Sequence, residues 1–192
     1  MRVIAGTLRG RAILAPGTPG VRPTYDRVRE SLFSMLEPSL RGASVLDLFA
    51  GSGSLGIESL SRGAARATFV EADPRVLRVV RDNVERLGLS ARSRLVRGDA
   101  VTLLRGTLPG APFDLVFVDP PYSSCLARQA LTLLGTRGLL AEGAVAAVER
   151  AAGDEPPDEA GCLVRRRSKR YGGTAVDLYE ARGASPGREE QP

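Results

Sequence analysis

The segment that decides the fold is VLDLFAGSGSLGIES, residues Val45 to Ser59. Its first half is an apolar strand, and its second half predicts a helix near residues 54–62. Between them lie Gly51, Gly53 and Gly56, which let the backbone turn tightly and approach a ligand without an intervening side chain. The same spacing fits dinucleotide binding, and packing alone also produces glycine-rich strand exits. The segment predicts a strand, loop and helix of an α/β protein and leaves the ligand open.

Strands and helices alternate after this segment. The predicted strands are ATFVEA (67–72), RLVR (94–97), FDLVFVD (113–119) and AVAAVE (144–149), and helices are predicted at 74–87, after Asp99 and at 126–134. Two further strands, LVRRRSKRYGG (163–173) and TAVDLYEA (174–181), are expected to form a closing antiparallel pair. This alternation favours a mostly parallel sheet with helices on both faces, in which ligands bind beyond the carboxyl ends of the strands.

Two of these elements carry clear local signals. Helix 74–87 has Asp73 as its N-cap, Pro74 at its first position and Gly88 as its stop, and its apolar face is predicted to be Val76, Val80, Val84 and Leu87. The run from Leu115 to Asp119 shows no period of two, so this strand is expected to be buried on both faces.

The start of the chain predicts a small basic β-hairpin, residues 1–20, before the main domain, residues 21–181. A helix follows from Thr24 to Glu37, with Val28, Leu32, Met35 and Leu36 buried and Arg27, Arg29 and Glu30 facing outward. Residues 182–192 have little apolar content and are expected to be disordered.

Charge is concentrated at the two ends of the sequence. The net charge is +5, with +4 on residues 1–42, +5 on residues 161–171 and −2 on residues 43–160. Such clustering suits a polyanion such as nucleic acid, although a solvated basic surface gives the same pattern.

The composition excludes several kinds of chemistry. The chain of 192 residues has no histidine, which removes the commonest general base, the serine-hydrolase triad and most catalytic metal sites. Its two cysteines show no C-x-x-C spacing, so no zinc site or disulfide framework is indicated. No apolar run is long enough to cross a bilayer, and the first residues lack the apolar core of a secretion signal. We expect a cytoplasmic protein without a metal.

Acidic residues stand at the ends of several predicted strands. Glu71 follows the strand after the glycine loop, where a carboxylate accepts hydrogen bonds from ribose hydroxyls. Asp99 ends the third strand and suits either the exocyclic amine of an adenine or the N-cap of the next helix. Asp47 lies within an apolar strand and needs a donor, either a ligand amine or neighbouring backbone. The glycine loop and Glu71 together indicate a ligand of the adenosine type.

The tetrapeptide DPPY, Asp119 to Tyr122, ends the apolar strand FDLVFVD. Two prolines stiffen the segment, so that the Asp119 carboxylate and the Pro120 carbonyl can be held side by side as acceptors. Two such acceptors match the two N–H donors of a primary amine, and Tyr122 offers a surface on which a base stacks, worth about 1–3 kcal/mol. An isolated DPPY would be interpreted as a rigid turn; after the glycine loop, Glu71 and Asp99, it predicts a site that binds an exocyclic amino group.

With these motifs the sequence resembles the S-adenosylmethionine-dependent amino-methyltransferases. More narrowly, MRVIAGTLRGR, RPTYDRVRESLF, DLFAGSGSLGIESLSRGA and VDPPY resemble the bacterial 16S ribosomal RNA guanine-N2 methyltransferase family, over about residues 1–181. The resemblance implies a Rossmann-like class I methyltransferase fold, with a mostly parallel seven-stranded sheet and an antiparallel final hairpin. It also implies S-adenosylmethionine as cofactor and a guanine of 16S ribosomal RNA, free or in the assembling small subunit, as target of a monomeric enzyme.

The resemblance also implies roles for individual residues. The catalytic residues would be Asp119, Pro120 and Tyr122. The cofactor would be held by Asp47, Phe49, Ala50, Gly51, Gly53, Glu71, Asp99 and Ala100. RNA would be bound by Arg9, Arg11, Arg22, Thr24, Asp26, Arg29, Arg166 and Lys169. The alternatives are an amino-methyltransferase acting on DNA adenine or protein glutamine, a nicotinamide-dependent oxidoreductase, which would leave Asp47 and DPPY without a role, and a noncatalytic RNA-binding protein.

Overall fold

The structure, a computed structural model, describes residues 1–17, 23–120 and 124–182. Its five α-helices within these ranges are α1 (Pro23–Leu36), α2 (Ser54–Ser61), α3 (Pro74–Arg86), α4 (Ala100–Leu104) and α5 (Ser124–Thr136). The strands are β1 (Ser44–Asp47), β2 (Arg66–Glu71), β3 (Ser93–Arg97), β4 (Phe113–Val118), β5 (Leu140–Ala151), β6 (Glu159–Ala160), β7 (Leu163–Tyr171) and β8 (Thr174–Ala181). Short 3₁₀ turns occupy Glu37–Ser39 and Ser90–Arg92.

The strands form one sheet in the order β3-β2-β1-β4-β5-β8-β7-β6. Strands β1 to β5 pair in parallel, whereas β8 runs antiparallel to both β5 and β7. The α/β class and the antiparallel final hairpin are therefore confirmed. The predicted count of seven strands was wrong by one, because the two-residue β6 pairs with β7 at the sheet edge. A pair so short leaves no alternating pattern in the sequence.

Helices cover the sheet on both faces, and the central strands are buried between them. One apolar cluster joins the face under α1, α2 and α3 to the N-terminal segment, and the second joins the opposite face to α4 and α5. Every residue of β1 is buried, and Leu115 to Val118 of β4 are at most 1% exposed. The burial predicted for the run Leu115 to Asp119 is therefore confirmed for Leu115 to Val118, whereas Asp119 is partly buried.

Helix α3 starts as predicted, since the Asp73 carboxylate accepts a hydrogen bond from the Arg75 amide at 2.7 Å. Its buried face includes Leu77, Val80 and Val84, whereas Val76 is only partly buried. The predicted apolar face is thus confirmed at Val80, Val84 and Leu87, with Leu77 in place of Val76.

The N-terminal segment does not form the two short strands that were predicted. A single antiparallel bridge joins Arg2 to Ala12, with the Val3 amide bonded to the Arg11 carbonyl at 3.0 Å. The next backbone donors bond elsewhere, because the amides of Ile4 and Ala5 donate to the buried Glu58 carboxylate of α2 at 2.7 and 3.0 Å. Helix α2, rather than a second strand, therefore fixes this segment on the core.

Helix α1 buries Val28, Leu32 and Leu36 as predicted. The expectation that Arg29 faces outward was wrong: it is 6% exposed, and its guanidinium donates to the Arg2 carbonyl. The N-terminal segment covers this part of the helix, and helical periodicity alone does not show that cover. Arg29 therefore links α1 to the N-terminal segment.

At the other end of the chain, the Arg182 amide bonds to the Cys162 carbonyl at 2.8 Å, and residues 183–192 of the predicted tail lie outside the described residues. Among the described helices, none has the length and apolar character required to cross a membrane.

Candidate active site

The sheet brings five acidic residues to one edge, because the carboxyl ends of parallel strands lie together. Asp47 and Glu71 end β1 and β2, Asp99 and Asp119 follow β3 and β4, and Glu149 lies near the end of β5. Asp47 pairs in register with Phe117, so Asp119, two residues further, lies on the same face of the sheet as Asp47. The strand-end acids predicted from the sequence are thus neighbours in space.

The three loop glycines have different roles. Gly51 has φ +54°, and a Cβ there would meet no atom within 4 Å, so its surface is open. At Gly53, with φ +77°, a Cβ would lie 3.1 Å from Val80, and at Gly56 it would lie 2.3 Å from the Phe69 ring. Only the first glycine therefore offers an open surface to a ligand. The other two are required for the left-handed turn and for the packing of α2 on β2.

Asp47 is 1% exposed, and its Oδ2 accepts a hydrogen bond from the Gly56 amide at 3.0 Å. The neighbouring backbone is thus the donor that the sequence required. Burial raises the pKa of Asp47 to about 7, opposed by the Gly56 hydrogen bond and reinforced by the charges of Asp119 and Glu71. The fold therefore disfavours the ionised form of this carboxyl group.

Glu71, at the end of β2, binds the glycine loop through a hydrogen bond from the Gly51 amide. Its two carboxylate oxygens accept hydrogen bonds from the Gly51 amide at 3.1 Å and from the Asp73 amide at 3.0 Å. Because an ionised carboxylate has about four acceptor positions, it can still accept ribose hydroxyls. The surface at Gly51 beside this carboxylate is open, and contact of Glu71 with a ribose stays a prediction.

The other predicted cofactor residues lie in the glycine loop itself or at the start of α4. Asp99 is exposed and caps α4 by accepting from the Thr102 amide at 2.8 Å, so its predicted role as an N-cap is confirmed; its pKa is lowered mainly by its hydrogen bonds to Thr102. Ala50 is buried, and its amide bonds to the Val70 carbonyl at 2.9 Å. Phe49 is partly exposed and Ala100 is buried at the start of α4. Contact of any of these with an adenine stays a prediction.

Asp119 and Pro120 are both partly buried at the end of β4. Burial raises the pKa of Asp119 to about 6, so the carboxylate is poised to ionise near neutral pH. Pro121 and Tyr122 lie outside the described residues, and the stacking role of Tyr122 stays a prediction.

Glu149 of β5 was missed by the sequence analysis. Burial, followed by the charge of Asp119, raises its pKa to about 7. The signal was available, because Glu149 ends the apolar run AVAAV just as Asp119 ends FDLVFV. The rule applied to the first four acids would have found the fifth.

Asn83 of α3 was also not predicted, because a single polar residue on an apolar helix face gives no local signal of its partners. Its side chain is 1% exposed and joins three segments: Oδ1 accepts from the Leu14 amide at 2.7 Å, and Nδ2 donates to the carbonyls of Leu14 and Ser52 at 2.9 Å each. Asn83 therefore fastens the N-terminal segment to the glycine loop.

Basic strand β7 reaches the same edge of the sheet. Register pairs Glu149 with Val176 and Val176 with Lys169, which puts these three residues in one row on one face. Lys169 is exposed and donates to Ser31 of α1 at 2.8 Å. Adjacent strands lie about 4.8 Å apart. Lys169 therefore lies in the same row as Asp119 and Glu149, two strands beyond Glu149.

The remaining residues predicted to bind RNA are placed as follows. Arg9 and Arg11 are exposed on the N-terminal segment. Arg166 is exposed and pairs with Glu180 at 3.1 Å, an exposed ion pair that contributes little to stability. Arg29 was expected to bind RNA, but it is buried under the N-terminal segment and is therefore not accessible to RNA. Arg22 and the side chains of Thr24 and Asp26 lie outside the described part of the chain.

Comparison with known proteins identifies the family. A family model described as "Conserved hypothetical protein 95" matches residues 1–180. Ribosomal RNA small subunit methyltransferase D of Escherichia coli (strain K12) is 41% identical over 187 residues, covering 96% of this chain and 93% of that protein. YlbH of Bacillus subtilis (strain 168) is 39% identical over 184 residues, covering 95% of this chain and all of that protein.

Solved structures agree on the fold. The structure of yhhF from Escherichia coli superposes with a TM-score of 0.82 at 39% identity, covering 95% of this chain and 98% of the other. An RNA methyltransferase from Salinibacter ruber, in complex with S-adenosyl-L-homocysteine, shares the fold at a TM-score of 0.64 and 16% identity, over 88% of this chain and 97% of the other. With a class I methyltransferase fold and a family match along almost its whole length, the chain belongs to the conserved hypothetical protein 95 family, together with ribosomal RNA small subunit methyltransferase D.

Proposed function

We propose that this protein transfers a methyl group from S-adenosylmethionine to the exocyclic N2 of one guanine in 16S ribosomal RNA. The observation that carries the proposal is the position of Asp119. This carboxylate ends β4 on the same face as Asp47 and beside the open glycine loop, within a chain of the methyltransferase D family. An acceptor for an amine thus stands next to a surface suited to the cofactor.

The cofactor side of the site is built by β1, β2 and the loop between β1 and α2. Glu71 would accept the ribose hydroxyls, the open surface at Gly51 would allow close approach, and Asp99 would lie near the adenine. Asp47 and residues 49–53 would hold the methionine part. Bound there, S-adenosylmethionine supplies a methyl group on a sulfonium, which is already electrophilic and needs neither histidine nor metal.

On the substrate side, a guanine flipped from its stack would enter at the end of β4. Asp119 and the Pro120 carbonyl would accept the two N2 hydrogens and orient the nitrogen lone pair toward the methyl group. As the N–C bond forms, the bond from the methyl carbon to sulfur would break and release S-adenosylhomocysteine, and one N2 proton would pass to Asp119 or to water. Tyr122 would stack on the base. Most of the rate acceleration would come from this alignment, since effective molarities of oriented groups reach about 10⁵–10⁸ M.

The RNA backbone would follow the basic surface made of the exposed basic residues of the N-terminal segment and of β7. Arg9 and Arg11 are exposed on the first, and Lys169 and Arg166 on the second. Lys169 lies in the row that leads to Asp119, so phosphates bound there would direct the flipped base to the site. We further propose that the protein acts as a cytoplasmic monomer on the small subunit or its 16S RNA.

The test combines mapping with one substitution. Modified nucleotides in ribosomal RNA are mapped from cells with and without this protein, and one N2-methylguanine is expected to disappear without it. Purified Asp119→Ala is expected to lose methyl transfer by at least about 100-fold while still binding the cofactor in calorimetry. The exposed Asp82 of α3, changed to alanine, serves as the control and should keep wild-type turnover. Methylation of DNA or of a protein glutamine instead of RNA, or normal turnover of Asp119→Ala, would contradict the proposal.

A further inference from the structure

Glu149 lies beside Asp119 in the neighbouring strand. The parallel pair of β4 and β5 is in register at Phe117 with Ala147 and at Val118 with Val148. The next residues in the two strands are Asp119 and Glu149, and both side chains point to the face covered by α1. Adjacent strands lie about 4.8 Å apart, so the two carboxyl groups are neighbours.

Neither carboxyl group receives a hydrogen bond from the part of the chain that the structure describes. By contrast, the buried acids Asp47 and Glu58 do have donors: Asp47 has the Gly56 amide, and Glu58 has the amides of Ile4 and Ala5. Asp119 and Glu149 are only partly buried, so their acceptor positions remain accessible to a ligand. Two adjacent carboxylates with unused acceptor positions therefore fit a ligand that presents two adjacent N–H donors.

Guanine differs from the other amino-bearing bases in this respect. Its Watson–Crick edge presents the N1–H and the N2 amine side by side, so two donors are adjacent. In adenine and cytosine the amine is next to a ring nitrogen that only accepts, and a second carboxylate there would repel it. An acceptor beside the amine site thus separates guanine from both, and a flipped base is recognised by such edge contacts.

We propose that Glu149 accepts the N1–H of the target guanine while Asp119 accepts from its N2 amine, and that Glu149 thereby makes the enzyme selective for guanine. The inference rests on the proposed function. Glu149 is a specificity residue: it binds the base but takes no part in the transfer of the methyl group. Its longer side chain and its place one strand from the reacting amine suit the second donor of the same edge.

The test uses 2-aminopurine, which carries the same C2 amine as guanine but has no hydrogen on N1. Small subunits are reconstituted with 16S RNA that carries guanine or 2-aminopurine at the mapped nucleotide, and kcat/KM is measured for both. The wild-type enzyme is expected to prefer guanine by about 10- to 100-fold, the worth of one buried hydrogen bond to a charged group. In Glu149→Gln the side-chain amide can donate to the bare N1 of 2-aminopurine, so the preference is expected to fall at least 10-fold.

Two further variants make the result decisive. Glu149→Ala should lower kcat/KM for guanine and leave that for 2-aminopurine nearly unchanged, and it serves if the glutamine variant folds poorly. Glu142→Gln is the matched control, because Glu142 is an exposed glutamate at the other end of the same strand, and it should keep the wild-type preference. Cofactor affinity, measured by calorimetry, should be the same in all the variants.

The outcomes separate the inference from the function on which it rests. If the wild-type enzyme methylates guanine and both Glu149 variants keep its base preference, the role of Glu149 is refuted and the proposed function stands. If the wild-type enzyme does not methylate the RNA that carries guanine at the mapped nucleotide, the proposed function fails and the inference fails with it.

Discussion

Replacing Asp47 by asparagine is expected to stabilise the protein while it impairs the enzyme. Asp47 is 1% exposed, and burial raises its pKa from 3.8 to about 7. Between pH 4 and pH 7 the folded protein therefore holds a proton at this position that the unfolded chain has released. Because the folded state binds more protons, the free energy of unfolding falls as pH rises through this window. Asparagine has nearly the same shape, keeps an oxygen for the Gly56 amide and carries no charge.

The magnitude follows from the pKa. A shift of about three units corresponds to about 4 kcal/mol of unfolding free energy once the group is ionised in both states. By proton linkage, the raised pKa lowers the unfolding free energy by about 2 kcal/mol at pH 5 and by about 4 kcal/mol at pH 9. The gain in stability from Asp47→Asn should therefore increase by about 2–3 kcal/mol between these two pH values.

The assay is urea unfolding of the cofactor-free protein at pH 5, 7 and 9, for wild type and variant. Asp99→Asn is the control, because Asp99 is exposed, its pKa is lowered rather than raised, and asparagine still caps a helix. The change in unfolding free energy caused by Asp99→Asn should not become more favourable as pH rises. If Asp47→Asn raises the unfolding free energy equally at pH 5 and pH 9, or lowers it at pH 9, the raised pKa assigned to the buried Asp47 is refuted.

Three further predictions concern packing, the N-terminal segment and pH. Gly56→Ala should lower the unfolding free energy by about 1–3 kcal/mol, measured by urea unfolding, because the new Cβ would lie 2.3 Å from the buried Phe69 ring. Glu58→Gln should cost about 2–3 kcal/mol, because an NH₂ group would then face an N–H donor, and hydrogen exchange should accelerate at the amides of residues 4 and 5. The kcat/KM should fall as pH drops through about 6, because protonated Asp119 accepts the amine poorly.

Each of these has a clear contrary result. Unchanged stability of Gly56→Ala would mean that α2 can shift away from β2. Unchanged exchange at residues 4 and 5 in Glu58→Gln would mean that the N-terminal segment does not depend on this carboxylate. A kcat/KM that stays flat from pH 5 to pH 8 would mean that Asp119 is ionised throughout, contrary to its burial.

The sequence allowed much of the site to be predicted, because the relevant signals are local. An acid directly after an apolar strand, or a glycine between strand and helix, can be recognised within a few residues. In a parallel sheet every such strand end lies at the same edge. This is why Asp47, Glu71, Asp99 and Asp119 could be placed at one edge of the sheet from the sequence.

What could not be predicted depended on segments far apart in the sequence. Arg29 was expected to be exposed on α1, but the N-terminal segment covers it and accepts its hydrogen bond through Arg2. The N-terminal hairpin pairs with itself only around Arg2 and Ala12, and the amides of Ile4 and Ala5 bond instead to Glu58, more than 50 residues away. Helical or strand periodicity gives no information about which other segment will cover a face.

The sequence by itself determined the α/β class, the strand-end acids and the family, since periodicity, glycine placement and short motifs depend on nearest neighbours along the chain. Only the tertiary structure decided which acids are adjacent, above all that Glu149 lies beside Asp119 and in one row with Lys169. Strand register and order are set by packing between distant segments, and burial of a charge depends on everything that surrounds it. For this reason the raised pKa values of Asp47, Asp119 and Glu149 appear only in the folded chain.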